Sequence, residues 1–176
     1  MTMTVEERVA FLAEDGHVGV ISIEREGRAP LSVPLWYRYD PGGDLWIWIQ
    51  RGSVKDVALR EARRFTLVAQ SEEYPYKYVS VEGPVVGDEG APTREQLLEI
   101  IRRYVADEEA NFIVDAYESA GQLAYDASVL IRMHPERWLG ADHSKAAGVG
   151  PGSSAVLSTR RNETIHGEVR ALLPTR

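Results

Sequence analysis

Between Leu31 and Tyr39 every second residue is apolar or aromatic: Leu31, Val33, Leu35, Tyr37 and Tyr39. A period of two is the alternation of side chains across the two faces of a β-strand, and it does not draw a helical stripe. The same period runs through Val18 and Val20, and through Leu45, Ile47 and Ile49 of "LWIWIQ". In that last stretch the intervening residues are Trp46, Trp48 and Gln50. Both faces are then apolar or aromatic, which predicts a central strand covered on each side. The stretches "EREGRA" and "PGGD" between these runs read as hairpin turns. The chain is thereby committed to a sheet of largely antiparallel neighbours.

Helical signals sit around that sheet. Val5, Val9, Phe11 and Leu12 share one side of a helix spanning Thr4 to Asp15, with Gly16 as its stop. A short helix is predicted from Val54 to Arg63 with Ser53 as N-cap. "RFTLVAQ" and "YKYVSVEGPVVG" are two more strands. Thr93 and Gln96 form a capping-box pair ahead of a long helical segment that breaks near Asp107, and "ASVLIRM" returns to a strand ending at Pro135. The expected class is mainly β with helices (α+β): a six-stranded antiparallel split β-barrel flanked by helices, spanning residues 1–145. Residues 146–176 read as a Gly/Ser-rich linker and C-terminal tail.

Composition removes whole classes of chemistry. The chain has no cysteine, so disulfides, thiol nucleophiles and thiolate metal sites are out. A formal charge of −7 argues against nucleic-acid binding, which draws its affinity from many cations on one face. No apolar run approaches the roughly 18 residues of a spanning helix, and the first residues lack the pattern of a secretory signal, so no membrane partner and a cytoplasmic location are expected. His17, His134, His143 and His166 are scattered with no metal-ligand spacing, and no metal is expected. Asn162 opens an Asn-Glu-Thr sequon by pattern alone.

The junction "QRGSVKDVALREARRF" is where the sequence suggests chemistry. The first N–H groups of a helix have no internal partners and carry the positive end of its dipole, which makes them a ready anion site. Arg51 before the cap, the Ser53 hydroxyl and Lys55 in the first turn aim at that place, and Gly52 allows a tight turn. One phosphate group fits there. The plainer alternative is a helix cap with two solvated cations beside it.

Four segments in order, "GVISIEREGRAPLSVPLWYRYD", "LWIWIQRGSVKDVALREARRFTLVAQ", "YPYKYVSVEGPVV" and "VLIRMHPERW", resemble the pyridoxamine-phosphate-oxidase-like flavin-binding split barrels. The likeness extends roughly from Val5 to His143 and is nearer to the branch that binds FMN or the related deazaflavin coenzyme. In that family a Lys followed by x-x-Asn-Leu opens the short helix, matched here by Lys55, Leu59 and Arg60. The Tyr-Arg-Tyr-Val-x-Val-x-Gly pattern is matched by Tyr76, Lys77, Tyr78, Val79, Val81 and Gly83.

The resemblance implies that Lys55, Arg51, Gly52 and Ser53 hold the cofactor phosphate. It places Val33, Pro34, Leu35 and Trp36 along the ring system and Gln50 at its polar edge or ribityl chain. It also implies a two-fold homodimer with cofactor at the interface, where Tyr76, Lys77 and Trp138 come from the partner subunit. Arg60, Arg63, Arg64 and Lys77 are the cations available to the longer anionic tail of the deazaflavin. Three positions depart from the family pattern: Ala58 stands where Asn is usual, Ser53 where many members have Arg, and Gln50 where Thr is common. Ser in place of Arg removes a bidentate ion pair, among the stronger contacts a phosphate makes. FMN and the deazaflavin both stay open on the sequence.

The expected function is therefore a flavin- or deazaflavin-dependent oxidoreductase passing a hydride to or from a small planar substrate, the catalytic residues being unknown. The alternatives are a non-catalytic carrier on the same barrel for a tetrapyrrole (haem or bilin), a fatty acid or the cofactor itself, and a family member without cofactor that acts through dimerisation. Trp46 and Trp48 read as packing residues, and "YPYKY" is explained equally by cross-strand packing. Pro34 within a strand pattern predicts an edge or a bulge, because proline donates nothing to the ladder.

Overall fold

A computed structural model describes residues 2–119 and 127–146. Chain contacts divide the protein into a unit of Met1–Ser144 and a second of Lys145–Arg176. The fold below is that of the first; the tail read from the sequence at 147–176 lies outside the described residues.

Elements follow in the order α1 (Val5–Ala13), β1 (Gly19–Ile23), β2 (Leu31–Leu35), β3 (Tyr37–Tyr39), β4 (Leu45–Gln50), α2 (Val54–Ala62), β5 (Arg64–Gln70), β6 (Lys77–Asp88), α3 (Arg94–Ile101), α4 (Asp107–Ser119), β7 (Ser128–Met133) and β8 (Arg137–Asp142). The strands form one eight-stranded sheet in the order β2-β1-β5-β6-β7-β4-β3, with β8 also paired to β6. Every pairing is antiparallel. The class is the expected α+β split barrel, but with eight strands rather than six. Two of those six each hide a change of partner. The run from Leu31 to Tyr39 keeps one alternation while β2 pairs with β1 and β3 with β4, the bend falling at Trp36. Beyond Pro135 the chain enters β8, whose inward positions Trp138, Gly140 and Asp142 carry no apolar period.

Trp36 alone separates the first strand of the path from the last, so the covalent chain joins the two ends of the curled sheet. A second junction sits on β6. That strand runs beside β5, while its other edge pairs with β8 from Lys77 to Glu82 and with β7 from Val85 to Asp88. The exchange of partners falls at Gly83 and Pro84, where the His134 amide donates to the Pro84 carbonyl at 3.1 Å and the Glu136 amide to the Glu82 carbonyl at 2.9 Å. Gly83 is needed there, because a Cβ would lie 1.8 Å from the His134 carbonyl oxygen.

Alternation fills the barrel: Ile21, Ile23, Leu45, Ile47, Leu67, Val79, Val81, Val129 and Met133 face inward with essentially no exposure. β4 lies between β3 and β7, the central position its two apolar faces predicted. Its outward Trp48 packs edge-on against Tyr117 of α4, with ring centroids 5.0 Å apart. α3 and α4 carry a second cluster, Leu97, Leu98, Ile101, Ala110 and Val114, packed with Trp36 and Trp48. The break near Asp107 is where α3 has ended and α4 begins.

The α3–α4 connection also clasps α1. Arg103 donates to the carbonyls of Leu12, Ala13 and Glu14 at 3.3, 3.2 and 2.8 Å, serving oxygens that a helix end leaves without partners. Tyr104 accepts the Tyr37 amide at 2.9 Å and shares its proton between the carbonyls of Tyr37 and His17. The buried Tyr37 hydroxyl donates to the Leu12 carbonyl at 3.0 Å.

Burial raises the pKa of both Tyr37 and Tyr104, because the phenolate loses its hydration. The fold thus keeps protons that the unfolded chain releases near pH 10, so this stabilisation is fully present below about pH 10 and is lost as pH rises further. Urea unfolding is expected to show a steep decline in stability above about pH 10, and Tyr37→Phe should flatten that decline while lowering stability by about 1 kcal/mol at neutral pH. An equally steep alkaline limb in the variant would refute the assignment.

Candidate functional site

β4 delivers Gln50 to the rim, and the Arg51 amide donates to the Ala127 carbonyl at 2.7 Å. Gly52 then takes φ +71°, a left-handed conformation open to a residue without Cβ. Ser53 is the N-cap of α2 as expected, its hydroxyl accepting the Asp56 amide at 3.3 Å. The turn is completed by a residue the sequence reading passed over. Asp56 is 2% exposed, accepts the Gly52 amide at 2.7 Å through Oδ2, and accepts Arg60 Nε at 2.9 Å through Oδ1. A carboxylate at the third helical position is favoured by the helix dipole and can reach back past the N-cap, here to the Gly52 amide instead of the Ser53 amide, so the spacing Ser-x-x-Asp was the signal.

Asp56 takes one amide of the junction and adds a negative charge beneath it. What remains open is nearer the solvent. The Val54 and Lys55 amides have no partner among the described residues, and the side chains of Arg51 and Lys55 form no ion pair there. Lys55 is half-buried and Arg51 exposed. These two cations and two amides match the donors a single phosphate monoester requires.

Three of the other cations, Arg60, Arg64 and Lys77, are already engaged. Arg60 is tied to Asp56 and, at 2.8 Å, to Asp88. Arg64 lies 3.6 Å from Glu136, and Lys77 Nζ lies 3.6 Å from Asp142, its cross-strand partner. Arg63 is the left-handed C-cap of α2.

The remaining expected site residues fall into two groups. Val33, Pro34 and Leu35 lie on β2, which pairs only with β1; Pro34 therefore occupies an edge strand, as its chemistry demands. Val33 and Leu35 are half-buried and Pro34 exposed. Trp36 stacks on Tyr104 with centroids 4.9 Å apart and planes 5° apart, which occupies one face of its indole.

Tyr76, Lys77 and Trp138 form the other group. Lys77 begins β6 and Asp88 ends it, and Asp88 is the end that reaches α2. Lys77 is thus separated from the α2 end by roughly 35 Å measured along the strand, whereas Trp138 lies in the same register row as Val33, through Val81, Leu67 and Ile21. Tyr76 stands edge-on to Tyr74 at 5.9 Å and borders a groove of about 290 Å³ with Gln70, Ser71, Glu72, Lys77 and Tyr78. Trp138 packs edge-on against Tyr39 at 5.7 Å, and its carbonyl accepts Arg8 at 2.7 Å.

No protein-family model matches the chain, and no curated protein matches it. Solved structures do share its architecture. A conserved hypothetical protein of Mycobacterium tuberculosis superposes with a TM-score of 0.61 at 22% identity, over 85% of this chain and 94% of that one. An F420 reductase gives 0.56 at 19% identity over 73% and 93%, and an FAD-binding protein of Mesorhizobium loti gives 0.53 at 20% identity over 80% and 95%. The fold is the split barrel of the pyridoxamine-phosphate-oxidase-like flavin-binding proteins. Among the described residues, no helix is long and apolar enough to cross a membrane.

Proposed function

We propose that the chain binds a flavin-type cofactor, FMN or the deazaflavin coenzyme, and transfers a hydride between it and a small planar substrate. The observation that carries this reading is the pairing of unengaged Lys55 and Arg51 with the open amides of Val54 and Lys55, on a barrel shared with an F420 reductase and an FAD-binding protein. Bound there, the cofactor would supply the hydride chemistry.

The polypeptide does the rest. Lys55 and Arg51 neutralise the phosphate, and Asp56 holds the Gly52 turn in the shape that presents them. The free edge of β2 offers its outward backbone groups to the polar rim of a ring system, and Gln50 stands beside the phosphate end. In a homodimer, Tyr76, Lys77 and Trp138 would serve the site of the opposite subunit, which accounts for the distance of Lys77 from the junction of its own.

Titration of the purified protein with FMN and with the deazaflavin, followed by absorbance and fluorescence, tests the reading. A spectral shift saturating at micromolar cofactor is expected for one of the two. No shift with either would refute it.

A further inference from the structure

Asp56 is the most deeply buried charged residue among those described, at 2% exposure. A carboxylate in such a place needs a cation, because burial strips the hydration that stabilises its charge. The cations nearest to it in sequence are Lys55, its neighbour, and Arg51, just ahead of the turn. Neither pairs with it among the described residues. Its partner is Arg60, one helical turn further on, whose Nε donates to Asp56 Oδ1 at 2.9 Å.

Arg60 is itself fixed from outside the helix. Its Nη2 donates to Asp88 Oδ2 at 2.8 Å, while Asp88 Oδ1 accepts the Gly90 amide at 3.0 Å. Attraction to the Asp56 charge, followed by the hydrogen bond to Asp88, raises the Arg60 pKa. Contacts therefore run without a gap from the end of β6 through Arg60 and Asp56 to the Gly52 amide at 2.7 Å. They pass beneath the open amides of the junction and leave Lys55 and Arg51 out. A lysine drawn down to Asp56 would be lost to a ligand, and an Asp56 without a counter-ion would repel an anionic one. Arg60 prevents both.

We propose that Arg60 is the counter-ion that keeps Lys55 and Arg51 free, so that a phosphate monoester at the junction meets two cations not already spent on Asp56. Arg60 is thereby a positioning residue of the proposed cofactor site, on which reading this inference rests. It touches no phosphate and acts through Asp56 and Lys55. An ordinary ion pair four residues apart on a helix would instead stabilise the helix and leave ligand affinity alone.

Fluorescence titration with FMN and with the deazaflavin, on variants that keep the wild-type circular dichroism spectrum, tests it. Arg60→Met keeps the stem and removes the charge, and it is expected to raise the dissociation constant of whichever cofactor the wild type binds by about tenfold. Asp56→Asn, whose side-chain oxygen can still accept the Gly52 amide, should bind about threefold more tightly. The double variant Asp56→Asn/Arg60→Met should return to within about threefold of wild type, since nothing is left to compete for Lys55. A pair that served only the helix would make the double variant at least as weak as Arg60→Met. That result overturns the inference, as does an Arg60→Met protein of wild-type affinity or an Asp56→Asn protein that binds no more tightly than wild type. Should Arg60→Met not fold, Asp56→Asn decides alone. A wild type that takes up neither cofactor refutes the cofactor reading and this inference together, whereas the other outcomes leave that reading standing.

Discussion

Replacing Gly83 by alanine is expected to cost about 3 kcal/mol or more and to lower the melting temperature by roughly 10 °C. The added methyl would meet a backbone carbonyl, the His134 oxygen at 1.8 Å, with the His134 carbonyl carbon and Met133 Sδ both at 2.9 Å. A side-chain neighbour can change rotamer, but a carbonyl moves only with its strand. Relief requires β6 to withdraw from the β7–β8 connection, which breaks the His134-to-Pro84 and Glu136-to-Glu82 bonds that hold the exchange of partners. Each buried bond so broken adds about 1 kcal/mol. Ser80→Ala, on the outward face of the same strand, should stay within about 0.5 kcal/mol. Thermal unfolding followed by circular dichroism decides the matter; a Gly83→Ala protein melting within about 2 °C of wild type would mean that the close approach is not a constraint.

Lys55→Glu is expected to raise the dissociation constant for a phosphate-bearing flavin by about 100-fold. One charge-assisted contact contributes about 1.5–3 kcal/mol, and the reversal adds repulsion, so about 2.7 kcal/mol is a conservative sum. Lys55→Gln removes the attraction alone and should fall in between. The effect should shrink as salt is added, since Lys55 is only half-buried and its field is screened. Arg28→Glu, on the exposed turn between β1 and β2, makes the same change of charge elsewhere and should leave binding unaltered. Fluorescence titration of the three variants reads the outcome; equal affinities for wild type and Lys55→Glu would place the cofactor somewhere other than the β4–α2 junction.

Local rules carried much of this molecule. The N-caps Thr93 and Ser53, the central position of β4, the edge position of Pro34 and the helix break near Asp107 all follow from side-chain chemistry within a few residues. Features that depend on distant partners did not appear in the sequence. Arg103 and Tyr104 clasp carbonyls of the first helix and the following turn some ninety positions earlier, and a carbonyl leaves no mark in a sequence. β8 was hidden because Gly140 and Asp142 occupy its inward positions, and alternation needs apolar residues to be visible.

The candidate site divides in the same way. Ser53 and Lys55 were legible from the helix start, and Asp56 was legible in principle from its spacing to Ser53. Which cations stay unengaged was not, because Asp88, Glu136 and Asp142 arrive from other parts of the chain to claim Arg60, Arg64 and Lys77.

The single-residue bend at Trp36 has a bearing on how this chain tolerates change in length. Leu35 and Tyr37 keep the same parity through it, so the inward set of β2 and the inward set of β3 are counted on one unbroken tally. An insertion of one amino acid at that point would turn Tyr37 and Tyr39 outward if β2 held its place, or turn Val33 and Leu35 outward if β3 did. Hairpin loops elsewhere can lengthen at small entropic cost, but here the spacing is a parity condition, met by an odd number of residues between Leu35 and Tyr37 and violated by an even number.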